Sequence, residues 1–266
     1  MVLAGCDLGI SSAKVIVVEN QRVIATEINE YKCLPQPAAD EAFHRAIDKA
    51  GFKPDSVEYC VATGFGKEAV PCANESAPET ACLSRAVQEL DIGIRTVIDA
   101  GAGSFTAYAL NDAGVIVDAT LHDRCAAGTG LYIDLMCRAL RMPCKELVTG
   151  AMGSQKPVRI SSQCAILAES DVISALNEGE NQYDIFAGVV DSVARKISAL
   201  ARQVRVVEKV LLIGGISHLT MVTRELERRL GVPLVNPGVD TQAFAAYGAA
   251  LIAGDRVSNA SESEAN

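Results

Sequence analysis

Two segments of the chain combine an aspartate with glycine and small hydroxyl residues, a set that can hold a phosphorylated ligand. The first reads Asp-Leu-Gly-Ile-Ser-Ser and the second Asp-Ala-Gly-Ala-Gly-Ser. Glycines let backbone N–H groups approach phosphate oxygens because no Cβ stands in the way, and serine hydroxyls add donors. A carboxylate at a strand end can hold Mg²⁺, usually through water. The candidate phosphate-binding residues are Gly9, Ser11, Ser12, Lys14, Gly101, Gly103 and Ser104, and the candidate catalytic residues are Asp7 and Asp99.

A third glycine turn, Gly214-Gly215, follows a predicted buried strand and precedes a predicted helix. A backbone of this kind can lie against an adenosine. The candidate nucleotide-binding set also includes Gly128, Thr129 and Gly130. Each turn alone is commonly only a chain reversal, but three in this order favour a nucleotide site. The chain lacks the sequence G-x-x-x-x-G-K-[ST], which excludes a P-loop protein.

Nine cysteines form the second group of residues that could do chemistry. Cys125 and Cys164 each precede a predicted helix, whose N-terminal N–H groups and partial positive charge stabilise a thiolate. Such thiolates can bind an iron–sulfur cluster, and a [4Fe–4S] cluster takes four of them, so two per chain imply a second chain. Spacing alone favours two small buried residues over cluster ligands, because cysteine is commonly buried and no Cys-x-x-Cys occurs. The other seven cysteines are expected to be structural.

Composition limits the classes of protein that remain. The chain has 266 residues, a net charge of −9 and 49% hydrophobic residues. The hydrophobic share excludes a disordered chain, and the negative charge argues against nucleic acid as a ligand. No apolar run approaches the ~20 residues of a membrane span, and the first residues do not resemble a signal peptide. A cytoplasmic protein without a membrane partner is expected.

The predicted elements repeat. A strand, a polar turn and a second strand surround Asp7, and the same order surrounds Asp99. This duplication predicts two α/β domains, residues 1–94 and 95–266, with a nucleotide cleft between them. The helix predicted over 243–254 is expected to return to the first domain, and the polar tail from Ser258 is expected to lack regular structure.

The three turns resemble those of the actin-like ATPase superfamily, which implies two ribonuclease-H-like domains with ATP and Mg²⁺ between them. The words Asp-Arg-Cys-Ala-Ala-Gly-Thr-Gly and Ile-Ser-Ser-Gln-Cys-Ala-Ile-Leu-Ala-Glu-Ser-Asp resemble the cluster motifs of one branch, the BadF/BadG/BcrA/BcrD-type ATPases. That branch contains activators of 2-hydroxyacyl-CoA dehydratases and ATPase subunits of benzoyl-CoA reductase. The resemblance extends from Gly5 to about Ala253.

This resemblance implies a dimer, a homodimer or a heterodimer with a related subunit. It would share one [4Fe–4S] cluster held by Cys125 and Cys164 of each chain. The resemblance also implies ATP hydrolysis to ADP, an electron donor such as a ferredoxin or flavodoxin, and delivery of a low-potential electron to an acyl-CoA dehydratase or aromatic-ring reductase.

One departure bears on the subfamily. The activators usually have Gly-Gly-Gln-Asp after the second aspartate, whereas Ala100-Gly101-Ala102-Gly103-Ser104 follows Asp99 here. Two alternatives stay open from the residues: a small-molecule kinase of the same superfamily, and a cluster-free nucleotide-binding regulatory subunit.

Overall fold

The computed structural model describes residues 1–32, 34–122, 129–161, 164–204 and 206–264. The chain forms two compact units. Unit 1 comprises Met1–Gly93, Asp112–Val115 and Pro237–Asn266, and unit 2 comprises Ile94–Asn111 and Ile116–Asn236. The C-terminal segment therefore belongs to the same unit as the N-terminus.

A five-stranded sheet forms the centre of unit 1. Its strands are β1 (Val2–Leu8), β2 (Ser12–Glu19), β3 (Arg22–Glu30), β4 (Val57–Thr63) and β5 (Glu75–Ser76), in the spatial order β3-β2-β1-β4-β5. Strand β1 pairs antiparallel with β2 and parallel with β4. Every residue of β1 is buried, as is usual for an apolar strand with helices on both faces of its sheet.

Three helices complete unit 1: α1 (Pro35–Ala50), α2 (Glu79–Leu90) and the C-terminal α8 (Phe244–Glu264). Side chains alternate along β1, so Ala4 and Cys6 join the core that includes α1. Gly5 points the other way, where an added Cβ would lie 2.0 Å from the carbonyl oxygen of Ala246 in α8. Glycine at this position therefore lets α8 lie directly on the sheet.

A four-stranded sheet forms the centre of unit 2. Its strands are β6 (Thr96–Ala100), β7 (Phe105–Leu110), β8 (Ile116–His122) and β9 (Val210–Ile213), in the order β8-β7-β6-β9. Strand β6 pairs antiparallel with β7 and parallel with β9, as β1 pairs with β2 and β4.

The register of the two sheets repeats about the two aspartates. Asp7 pairs with Lys14 across the hairpin, and Asp99 pairs with Thr106, seven positions later in both cases. On the parallel side, Asp7 pairs with Thr63 and Asp99 pairs with the last residue of β9. This agreement supports the internal duplication predicted from the two segments that begin at Asp7 and Asp99.

Within the described residues, five helices pack with the sheet of unit 2 into its main core. They are α3 (Gly130–Ala139), α4 (Cys144–Ala151), α5 (Ala165–Asn177), α6 (Gln182–Ala201) and α7 (Thr220–Leu230). The helix predicted after Cys125 begins at Gly130 in the part of the chain that the structure describes. Helix α6 contributes thirteen buried residues, the largest share of any of these helices.

The expectation that the tail from Ser258 lacks regular structure is wrong, because α8 continues to Glu264. Arg85 binds Asp255 with a separation of 2.8 Å, and Arg256 binds Glu75 with a separation of 2.7 Å. These ion pairs hold α8 to unit 1 just before the tail, and the Ala and Glu residues beyond favour helix. Within the described residues, none of the helices is both long and apolar enough to span a bilayer.

Substitution of Gly248 tests how closely α8 packs against α2. An added Cβ at Gly248 would lie 1.9 Å from the carbonyl oxygen of Cys82, a backbone atom that cannot move aside. We expect Gly248→Ala to lower the free energy of unfolding by about 1–3 kcal/mol through overpacking.

Gly254→Ala is the matched control in the same helix, because its Cβ would meet only the end of the Leu3 side chain at 3.3 Å. The control is expected to have wild-type stability or to be more stable by up to about 1 kcal/mol, since alanine is a better helix former than glycine. Denaturant unfolding measures both variants. Equal stability of the two would contradict close packing at Gly248.

Candidate functional site

The turn after β1 holds a partly buried ion pair at the surface of unit 1. The amide of Gly9 donates to the carbonyl oxygen of Ser12 over 3.1 Å, which closes the turn. Asp7 is only 8% exposed, and its Oδ2 lies 2.9 Å from Nζ of Lys14. An added Cβ at Gly9 would lie 2.6 Å from that ammonium. Five of the predicted residues thus lie together in this hairpin: Asp7, Gly9, Ser11, Ser12 and Lys14.

Tyr31, which is not among the predicted residues, forms two hydrogen bonds with this turn. Its amide donates to the carbonyl oxygen of Ser11 over 3.0 Å, and its hydroxyl donates to the carbonyl oxygen of Gly9. Burial raises the pKa of the hydroxyl, so it stays a donor. Sequence reasoning missed Tyr31 because it follows β3 without any motif, and only the β2–β3 pairing brings it to the turn.

The turn after β6 has the same hydrogen bond, and it also binds the start of a helix. The amide of Gly101 donates to the carbonyl oxygen of Ser104 over 3.0 Å. The amides of Gly130 and Leu131 donate to the carbonyl oxygens of Gly101 and Ala102, each over 3.0 Å. Helix α3 therefore begins against the second turn. The predicted residues of this group in unit 2 are Gly101, Gly103, Ser104, Thr129 and Gly130.

A glycine with positive φ lies against each aspartate. Gly214 has a φ of 86°, and an added Cβ would lie 2.7 Å from Oδ1 of Asp99. Gly64 has a φ of 88°, and its Cβ would lie 2.2 Å from Oδ1 of Asp7. Both glycines follow the strand parallel to the one that carries the aspartate. Gly214 therefore contacts the aspartate and its strand, and Gly64 is its missed counterpart.

The signal for Gly64 was present in the sequence. Thr63-Gly64-Phe65-Gly66 reads as a glycine turn after a strand, like Gly214-Gly215. Gly215 begins a short 3-10 turn over Gly215–His218. Only a superposition of the two halves would have shown that both turns occupy one position.

The two turns differ in charge. Lys14 is the residue paired with Asp7, whereas the neutral Thr106 occupies the equivalent place beside Asp99. In unit 1 the cation partly offsets the carboxylate and can also attract a phosphate. Only the turn in unit 1 therefore has a lysine paired with its aspartate, among the two equivalent strand pairs.

Cys164 is the N-cap residue of α5, with extended backbone angles. Its side chain is partly exposed and forms no disulfide. Two large apolar residues in the next turn are also exposed, Ile166 at 72% and Leu167 at 51%. Cys125 and Gly128 lie outside the described residues. The observed position of Cys164 fits a thiolate ligand that must reach a group at the protein surface.

Known proteins share this sequence pattern over nearly the whole chain. A family model described as the BadF/BadG/BcrA/BcrD ATPase family matches residues 4–253. The activator of lactoyl-CoA dehydratase from Anaerotignum propionicum is 32% identical over 260 residues, which covers 95% of this chain and 97% of that protein. One of the subunits of benzoyl-CoA reductase from Thauera aromatica is 27% identical over 219 residues, which covers 80% of this chain and 77% of that protein.

A solved structure, that of the activator of the 2-hydroxyisocaproyl-CoA dehydratase from Clostridium difficile with bound ADPNP, is also similar. The TM-score is 0.92 at 28% identity, with 99% of this chain and 98% of that chain covered. This likeness confirms the predicted α/β fold of the actin-like ATPases. The family resemblance expected from the cysteine motifs is confirmed as well. The chain belongs to the BadF/BadG/BcrA/BcrD ATPase family.

Proposed function

We propose that this chain is an ATPase that uses hydrolysis to deliver a low-potential electron to an acyl-CoA dehydratase or an aromatic-ring reductase. The observation that carries the nucleotide part is the repeated turn with a glycine-packed aspartate in each unit. Relatives named as a dehydratase activator and as part of benzoyl-CoA reductase support the choice of partner. A similar solved structure with bound ADPNP supports ATP as the nucleotide.

In this proposal the turns bind the phosphates and the aspartates serve the reaction. Backbone N–H groups of glycine turns and the hydroxyls of Ser11 and Ser104 are suitable donors to phosphate oxygens. Asp7 and Asp99 would hold Mg²⁺ and would orient the attacking water. Catalysis then rests on positioning and charge stabilisation more than on covalent chemistry. Lys14 offsets the charge of Asp7 and of the phosphates.

We further propose that Cys125 and Cys164 of two subunits hold one shared [4Fe–4S] cluster, which would supply one-electron chemistry when bound. The described ligand, Cys164, fits this role because it is partly exposed and begins a helix. The exposed Ile166 and Leu167 beside it are suited to burial against a second subunit, since such residues stabilise interfaces. A ferredoxin or flavodoxin is the proposed electron donor.

The aspartates give the first test. Asp7→Asn and Asp99→Asn are each expected to lower kcat for ATP hydrolysis by about 100-fold or more, because the side chain that orients water loses its charge. Steady-state phosphate release measures this effect. Asp118→Asn is the matched control, since Asp118 is an exposed strand carboxylate of β8.

Thermal unfolding separates an effect on catalysis from an effect on stability, because Asp7→Asn removes the carboxylate that pairs with Lys14. The double variant Asp7→Asn, Lys14→Met removes both charges and is expected to stay inactive. Wild-type kcat in a folded Asp7→Asn or Asp99→Asn variant would refute the proposed roles.

Tyr31 gives a finer test of the first turn. Tyr31→Phe keeps the ring and the backbone bond to Ser11 but loses the hydroxyl bond to Gly9. We expect a severalfold higher KM for ATP with Mg²⁺ and a smaller change in kcat, because the turn is less ordered before the nucleotide binds. Tyr59→Phe on β4 is the control. An unchanged KM would mean that Tyr31 does not order the turn for ligand binding.

Iron content tests the cluster. Cys125→Ser and Cys164→Ser, purified without oxygen, are expected to lose iron and sulfide while they still bind ATP. The wild type is expected to hold about two irons per chain, since four are shared by two subunits. Cys144→Ser is a matched control, because Cys144 also begins a helix and is also partly exposed.

Colour separates the remaining alternatives. A small-molecule kinase or a cluster-free regulatory subunit would be colourless after anaerobic purification, whereas a cluster protein is brown. Full iron in both Cys125→Ser and Cys164→Ser would rule out the proposed ligands.

A further inference from the structure

Two cysteines that the proposed function does not use lie side by side in unit 1. The Sγ atoms of Cys60 and Cys72 are 4.0 Å apart. Cys60 is on β4 and only 1% exposed, whereas Cys72 is partly exposed in the segment that leads to β5. Both are free thiols.

Backbone contacts hold Cys72 in this place. The amide of Cys60 donates to Oδ1 of Asn74 over 2.7 Å, and the amide of Asn74 donates to the carbonyl oxygen of Cys60 over 2.8 Å. Glu75 then pairs with Val61 in parallel register. The segment that carries Cys72 is thus fixed to β4 two residues away from the thiol, and a disulfide needs the sulfur atoms to approach to about 2 Å.

The two thiols differ in reactivity. The hydrogen bond with Cys60 lowers the pKa of Cys72. The same contact, together with burial, raises the pKa of Cys60. The thiolate is the nucleophilic form of cysteine, so the partly exposed Cys72 is the sulfur that an oxidant meets first. Cys60 is then the buried thiol placed to resolve the product.

We propose that Cys60 and Cys72 form a reversible disulfide when the protein meets a peroxide. The Cys72 thiolate attacks one peroxide oxygen, the O–O bond breaks, and the departing oxygen takes up a proton as water. Cys72 is now a sulfenic acid. The sulfur of Cys60 attacks it, the S–O bond breaks, and the hydroxide leaves with the proton of Cys60 as a second water. Two thiols lose two electrons, which reduce one peroxide to two waters.

The disulfide would join β4 covalently to the segment before β5. Cys60 lies on the strand that ends beside Gly64, the glycine packed against Asp7. Oxidation would therefore restrict the motion of the residues beside the turn after β1, without modifying the residues of that turn. The thiol pair is part of unit 1 whether or not a cluster is bound, so its oxidation is independent of the proposed electron transfer.

Mass spectrometry of the full-length chain tests for this disulfide. The protein is purified without oxygen, treated with graded hydrogen peroxide, alkylated and digested with trypsin. Cys60 then lies in the peptide of residues 50–67, and Cys72 shares the peptide of residues 68–85 with Cys82. We expect the two peptides to become linked at low peroxide and to separate again after dithiothreitol.

Two variants locate the bond. Cys82→Ala leaves Cys72 as the only thiol of its peptide and is expected to keep the link. Cys72→Ser is expected to lose the link and to leave Cys60 free for alkylation after unfolding. A second digest of the peroxide-treated wild-type chain uses a protease that cuts after Glu79 and so separates Cys72 from Cys82. The result then does not depend on whether either variant folds.

Two results would overturn the proposal. One is accumulation of Cys72 as a sulfinic acid while Cys60 stays reduced. The other is a bond from Cys60 to Cys6, the buried thiol of β1 that shares the same core. Loss of iron under peroxide, by contrast, would be read from iron content and not from these peptides.

Discussion

The close approach of a glycine to an aspartate is the constraint on which both units depend. Each aspartate is the last but one residue of its strand, and the neighbouring parallel strand is followed by a glycine whose missing side chain leaves room for the carboxylate. The left-handed backbone at Gly64 and Gly214 turns the chain away at that point, a conformation that L side chains rarely adopt. Without it, the carboxylate, the turn and the parallel strand could not share one edge of the sheet.

The duplicated frame carries different chemistry in its two halves. The first half pairs its aspartate with a lysine and ties its turn to Tyr31. The second half has Thr106 in place of the lysine and ties its turn to the start of α3. A buried ion pair adds little net stability, because desolvation offsets much of the attraction. The pair is therefore better understood as fixing the position and charge of the first turn than as holding unit 1 together.

Much of this arrangement could be predicted from the sequence. The Asp-Gly segments, the strands around them and the helix after Cys164 are local patterns, and each appears where expected. Tyr31, Gly64 and the Cys60–Cys72 pair were not predicted because each acquires its partner through strand pairing, which local sequence patterns do not reveal. The prediction for the C-terminal end of α8 was wrong for a related reason. A polar composition suggested disorder, while ion pairs from α8 to Arg85 and Glu75 hold the preceding turns.

The return of α8 to unit 1 affects the order in which the chain can be assembled during synthesis. Unit 2 lies entirely within residues 94–236, so its chain is complete before α8 has been translated. Unit 1 stays incomplete, with the α8 face of its sheet uncovered, until α8 emerges. Exposed apolar strands are prone to aggregation. A nascent chain of this protein therefore carries an unfinished sheet in unit 1 until α8 has been translated, and truncation before α8 would leave that sheet permanently open.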